Sequence, residues 1–202
     1  NCEFYKSGAD ELLAVWGWGG AVRDVVLSGC SFYETQTQEA LDADHRPVWF
    51  ITLGQSGTTD VRMEDCTVRA EYCETIFRMV GDKTRAVVDN CDITMKQPDS
   101  MAKHDMKKGA NPMLTRGNDR ADGSTAIQNS RITLSGDNGR RICYQLSALK
   151  GNTLDVSLGY GIASTKEVSS NTIRGRIRHK VFQDCSGVEN NKVEVRRFSI
   201  LG

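Results

Sequence analysis

Leu27-Ser28-Gly29-Cys30-Ser31-Phe32 is a phrase that the chain repeats along its length. It returns as Met63-Glu64-Asp65-Cys66-Thr67-Val68, Val88-Asp89-Asn90-Cys91-Asp92-Ile93 and Ile127-Gln128-Asn129-Ser130-Arg131-Ile132. Three more copies follow: Leu149-Lys150-Gly151-Asn152-Thr153-Leu154, Val168-Ser169-Ser170-Asn171-Thr172-Ile173 and Val188-Glu189-Asn190-Asn191-Lys192-Val193. Asn1-Cys2-Glu3-Phe4 is a truncated opening copy. The rule is an apolar residue, two polar or small residues, a Cys, Ser or Asn marker, any residue, and a second apolar residue.

The markers stand at positions 2, 30, 66, 91, 130, 152, 171 and 191, so the intervals are 28, 36, 25, 39, 22, 19 and 20 residues. The floor of that series carries the information. A coil of three short strands and three turns needs roughly 20 residues, and a longer interval arises when one turn grows while its neighbours stay in register. Most markers are preceded by a further apolar strand candidate, at 12–16, 48–53, 75–80, 142–146, 161–164 and 180–182. The residue just before the marker is always Asn, Gly, Asp or Ser, types that accept positive φ or bond their own backbone in a tight bend. The phrase therefore predicts a corner between two strands. Its marker is expected to stack on its counterparts at about 4.8 Å from coil to coil. The predicted fold is all-β, a right-handed single-stranded parallel β-helix of about seven to eight coils.

Four of the seven cysteines fit this register. Cys2, Cys30, Cys66 and Cys91 are markers, where a thiol serves as a small buried apolar group. Stacked thiols come close without requiring a bond, so structural thiols are favoured over disulfides. Cys73, Cys143 and Cys185 lie outside the marker column, and none of the seven forms a C-x-x-C pair.

Across its 202 residues the chain shows no linker-like change of composition, so one domain over 1–202 is the economical reading. Opening inside a corner, at Asn1-Cys2, it is expected to be a fragment of a longer chain, truncated at the N-terminal end. Lys plus Arg equals Asp plus Glu at 26 each, which gives no overall basic field for nucleic acid. No apolar run approaches the length of a membrane-spanning helix, so membrane insertion is not expected.

The repeat, with its Asn/Ser/Cys ladder, resembles the pectate-lyase-like β-helix superfamily, and specifically the β-helical bodies of bacteriophage tailspikes and preneck appendages. That resemblance implies a polysaccharide partner, a bacterial surface glycan that is bound and depolymerised by hydrolase or lyase chemistry. It also implies a homotrimer and a place on a virion tail or outside the cell. The alternatives are a non-catalytic adhesin or spacer, and a secreted polysaccharide lyase unconnected with phage.

Two insertions, 34–47 and 96–112, occupy the same place in their coils, after the apolar residue that follows the marker. With two coil rises between them they are expected to flank a notch roughly 10 Å wide. Asp42, Asp44, His45 and Arg46 furnish one wall, Asp99, His104, Asp105, Lys107 and Lys108 the other, and Glu71, Tyr72 and Glu74 the floor. Asp42, Asp44, His45, Glu71, Glu74, Asp99, His104 and Asp105 are the candidates for acid–base or nucleophilic work. Arg46, Tyr72, Lys107 and Lys108 are the candidates for substrate binding. A solvated charged surface is the competing reading of these loops. The stretch from Asp42 to Trp49 is also similar to the Asp-His phrase of pectate lyases, without that family's further Arg and Pro spacing. Trp16 and Trp18, two apart among glycines, suit either sugar stacking or packing against a neighbouring coil. No motif demands a cofactor. Asp119 and Asp122 are the candidates for a Ca2+ site, against the simpler reading of a mixed-charge turn.

Overall fold

A computed structural model of the chain describes residues 1–6, 11–15, 20–34, 49–54, 57–70, 75–79, 83–96, 112–116, 124–136 and 140–197. Every regular element among them is a strand, and the strands form three parallel sheets. Sheet 1 holds Glu3–Lys6, Ser31–Glu34, Thr67–Ala70, Asp92–Lys96, Arg131–Ser135, Thr153–Leu158, Thr172–Ile177 and Lys192–Arg196. Sheet 2 holds Leu13–Val15, Trp49–Leu53, Thr75–Met79, Pro112–Arg116, Arg141–Tyr144, Tyr160–Ala163 and Phe182–Gln183. Sheet 3 holds Ala21–Ser28, Thr58–Glu64, Lys83–Asp89, Ser124–Gln128, Ala148–Lys150, Glu167–Ser169 and Val188–Glu189.

The chain visits sheets 1, 2 and 3 in turn and then returns to sheet 1 beside its previous strand. This is a parallel β-helix. Each coil carries three strands, as the interval floor near 20 residues requires. In the coil of Cys91 the sheet 2 strand is Pro112–Arg116, which no apolar run announces.

Corners fix the register. The residue before each marker from Cys30 onward is in the left-handed region: Gly29, Asp65, Asn90, Asn129, Gly151, Ser170 and Asn190 have φ between 51 and 66°. At Gly151 a Cβ would meet Asn129 Oδ1 at 2.7 Å, so the bend is close as well as left-handed. Two residues after the marker the side chain turns inward. Phe32, Val68, Ile93, Ile132, Leu154 and Ile173 form one column with no exposed surface, and Phe4 stacks on Phe32 with ring centroids 4.9 Å apart. Burying each such side chain contributes about 1.5–3 kcal/mol. Strand alternation then turns the third and fifth residues after the marker outward.

The markers form the expected ladder. Asn191 Oδ1 accepts from the backbone N–H and side-chain amide of Asn171, whose Oδ1 accepts from the same two groups of Asn152. Asn152 Oδ1 accepts from Ser130 N–H, and Ser130 Oγ from Cys91 N–H. Each Asn amide also donates to a carbonyl in the preceding coil: Asn152 to Ile127, Asn171 to Leu149 and Asn191 to Val168. Thiols occupy the same geometry, Cys66 Sγ donating to Leu27 O at 3.4 Å and Cys91 Sγ to Met63 O at 3.8 Å.

A second ladder runs down the corner between sheets 2 and 3. Gln145, Ser164 and Asp184 have φ of 49 to 57° there, and each precedes an inward residue: Leu146, Thr165 or Cys185. Cys185 Sγ donates to Ile162 O at 3.5 Å, so this thiol also has a corner role. Cys143 points into the core from sheet 2, and burial pushes its thiol up to about 12.

Candidate functional site

The two insertions join the described strands on one edge of sheet 1. Ser31–Glu34, Thr67–Ala70 and Asp92–Lys96 are consecutive strands of that sheet, and the chain next enters Trp49–Leu53, Thr75–Met79 and Pro112–Arg116, consecutive strands of sheet 2. The last residues described before the three connections are therefore Glu34, Ala70 and Lys96, spread over two strand spacings, roughly 10 Å. These three residues, with Arg69, Thr94 and Thr133, line one groove of about 440 Å³. That volume falls within the range of small-ligand clefts, roughly 300–1,000 Å³.

The groove follows from strand alternation. Tyr5, Tyr33, Arg69, Thr94 and Thr133 each stand three residues after a marker and are register neighbours on the outward face. Tyr5 and Tyr33 stack with centroids 5.3 Å apart and planes at 21°. The Tyr5 hydroxyl donates to Glu3 Oε2 at 2.9 Å, and holding the proton for that carboxylate raises its pKa above the ordinary tyrosine value. Arg69 is fixed at the next position. Its Nη1 donates to the carbonyls of Val68 and Asp92 and its Nη2 to Asp92 Oδ2 at 2.6 Å. An aromatic pair, a held guanidinium and two threonine hydroxyls thus lie in line along the solenoid, with Glu34 and Lys96 beside them. Such a surface offers an apolar platform and hydrogen-bonding groups to a hydroxyl-rich ligand.

Asp42, Asp44, His45, Arg46, Glu71, Tyr72, Glu74, Asp99, His104, Asp105, Lys107 and Lys108 lie outside the described residues, as do Trp16, Trp18, Asp119 and Asp122. Glu34 is the one carboxylate lining the groove among the described residues. No cluster of three or more His, Cys, Asp or Glu side chains suited to a metal occurs among them. The groove residues were missed because each is an ordinary polar residue on an alternating strand. Counting three positions on from every marker would have found Tyr5, Tyr33, Arg69, Thr94 and Thr133.

The ladder thiols are buried parts of the scaffold. Cys66 and Cys91 are each 2 % exposed. The neighbouring Cys91 thiol lowers Cys66 against the effect of burial. The neighbouring Cys66 thiol, and then burial, push Cys91 up.

No protein-family model matches the chain, and no curated protein or solved structure matches it either.

Proposed function

We propose that the chain is the body of a carbohydrate-directed β-helix that binds a polysaccharide along the outward face of sheet 1. The observation that carries this reading is the groove itself: Glu34, Ala70 and Lys96, the points at which three connections leave sheet 1, line it together with Arg69, Thr94 and Thr133. The stacked pair Tyr5 and Tyr33 extends it with a flat platform suited to the apolar face of a sugar ring. In its enzymatic form the proposal gives bond cleavage to carboxylates of the insertions, by hydrolase or lyase chemistry. A phage-tailspike-like context, with a homotrimer displayed on a virion tail or outside the cell, belongs to the same proposal and rests on the resemblance of the repeat. A non-catalytic adhesin would use the groove without cleaving what it holds.

Thr94→Trp tests the reading, because an indole at that outward position fills the groove without entering the core. Binding of immobilised capsular, teichoic and pectic glycans is expected for the parent chain and a loss of about tenfold or more for the variant. Binding by neither protein, or equal binding by both with unchanged melting curves, would overturn the reading. Product analysis separates its forms: an ultraviolet-absorbing unsaturated end marks a lyase, a new reducing end without it a hydrolase, and intact polymer an adhesin.

A further inference from the structure

The residues five positions after the markers form their own outward column on sheet 1. Lys96, Ser135, Ser157, Arg176 and Arg196 are register neighbours from coil to coil. Among the described residues of the column, every charged member is a cation. Lys96, Arg176 and Arg196 are exposed, and among the described residues none of them makes an ion pair.

The column two residues back shows the contrasting arrangement, with Arg69 2.6 Å from Asp92 and Arg174 3.0 Å from Glu194. Arg176 and Arg196 instead stand directly opposite each other, and like charges in that relation repel. Gly175 holds the first of them in place. Its φ is 110° and a Cβ there would lie 2.1 Å from Val156 O, so the strand carrying Arg176 packs against the preceding coil more closely than any other residue allows. Among the described residues, a chain with equal numbers of acidic and basic residues thus keeps one line of cations without ion pairs, from Lys96 to Arg196.

We infer that this column is a binding track for an acidic polysaccharide, which leaves the groove at Lys96 and runs parallel to the solenoid axis to Arg196. The inference rests on the reading that the groove holds a glycan. Four strand spacings separate the two ends, about 19 Å. The unpaired guanidinium forks of Arg176 and Arg196 suit carboxylate or sulfate oxygens bidentately, and the hydroxyls of Ser135 and Ser157 between the cations suit sugar hydroxyls. Single-stranded nucleic acid fits less well, because the column offers no aromatic side chain for base stacking.

Arg176→Gln/Arg196→Gln in the 202-residue chain provides the test, since both side chains are exposed and the fold should survive. Binding is measured to polygalacturonate, hyaluronate, a bacterial capsular uronan, neutral dextran and a single-stranded DNA oligonucleotide, at low and high salt, with Thr94→Trp in parallel. Expected are tighter binding of at least one acidic polysaccharide than of dextran, a loss of roughly tenfold in the double variant at low salt, and a flatter salt dependence. Acidic-glycan binding that Thr94→Trp abolishes and the double variant leaves unchanged would overturn the track and keep the groove. Binding of dextran alone would do the same. DNA bound as tightly as the acidic glycans, with the same loss in the double variant, would also overturn the track. Retention of no glycan by any of the proteins would overturn track and groove together.

Discussion

The marker ladder has two halves made from different chemistry. In Cys30, Cys66 and Cys91 each rung is a thiol whose bonds to carbonyl oxygen run from 3.2 to 3.8 Å. In Asn152, Asn171 and Asn191 each rung is an amide, and its bonds are 2.7 to 3.0 Å long. Ser130 joins the halves, accepting from Cys91 N–H and donating its hydroxyl to Gln128 O. The coils differ in parallel: intervals after the thiol markers are 36, 25 and 39 residues, and those after Ser130 and the first two amides are 22, 19 and 20. The difference separates two tasks. Short coils carry an interlocked polar ladder that fixes register, and long coils rely on apolar columns while the ends of their sheet 1 strands, Glu34, Ala70 and Lys96, line a groove.

Removing an amide rung is the most severe way to break this comparison. Asn171→Ala deletes four hydrogen bonds of the side chain and leaves Asn152 N–H and Leu149 O without them in the interior. A loss of roughly 3 kcal/mol is expected in urea unfolding, with an unchanged m-value. A loss below that of a thiol substitution would erase the distinction between the halves.

Alkali sharpens the comparison, because thiols titrate and amides do not. Cys143 keeps its proton to about 12 in the folded chain, against an ordinary 9.0 when unfolded. The unfolded state releases the proton first, so this contribution to stability is intact below pH 9 and lost as pH rises from 9 toward 12. For that thiol alone the expected loss is roughly 1–2 kcal/mol at about pH 10. Melting temperatures across this range should fall more steeply for the parent than for Cys143→Ala, whatever the starting stability of the variant. Parallel profiles would contradict the assignment.

The smallest effect belongs to a single thiol rung. Cys66→Ser keeps a donor for Leu27 O and Glu64 O and exchanges a sulfur for a smaller, more polar atom. About 0.5–1 kcal/mol should be lost in the same urea experiment. A cost equal to that of Asn171→Ala would mean that the thiol half is as interlocked as the amide half.

The corners between sheets 3 and 1 are legible in the sequence because one place in each coil asks for two things at once, a residue that tolerates positive φ and a small stackable neighbour. Gly29-Cys30 and Asn190-Asn191 satisfy both demands with different residues, and the shared pattern survives. The corner between sheets 2 and 3 hides because its inward position accepts Leu146, Thr165 and Cys185, which share no chemistry. Pro112–Arg116 hides because it is a short strand behind a long insertion, and its Pro112 points away from a strand assignment. The common edge of the two insertions could be read from the register. Tyr33, Arg69 and Thr94 could not be read as neighbours until that register was applied to the outward face, since they are 36 and 25 residues apart in the chain.

Backbone hydrogen exchange with and without a bound polysaccharide tests most directly whether the outward face of sheet 1 is the binding surface. Slower exchange is expected in Ser31–Glu34, Thr67–Ala70 and Asp92–Lys96, with no change in Thr58–Glu64 and Lys83–Asp89 on sheet 3. Protection confined to sheet 3, with sheet 1 exchanging as in the free chain, would contradict the proposed site.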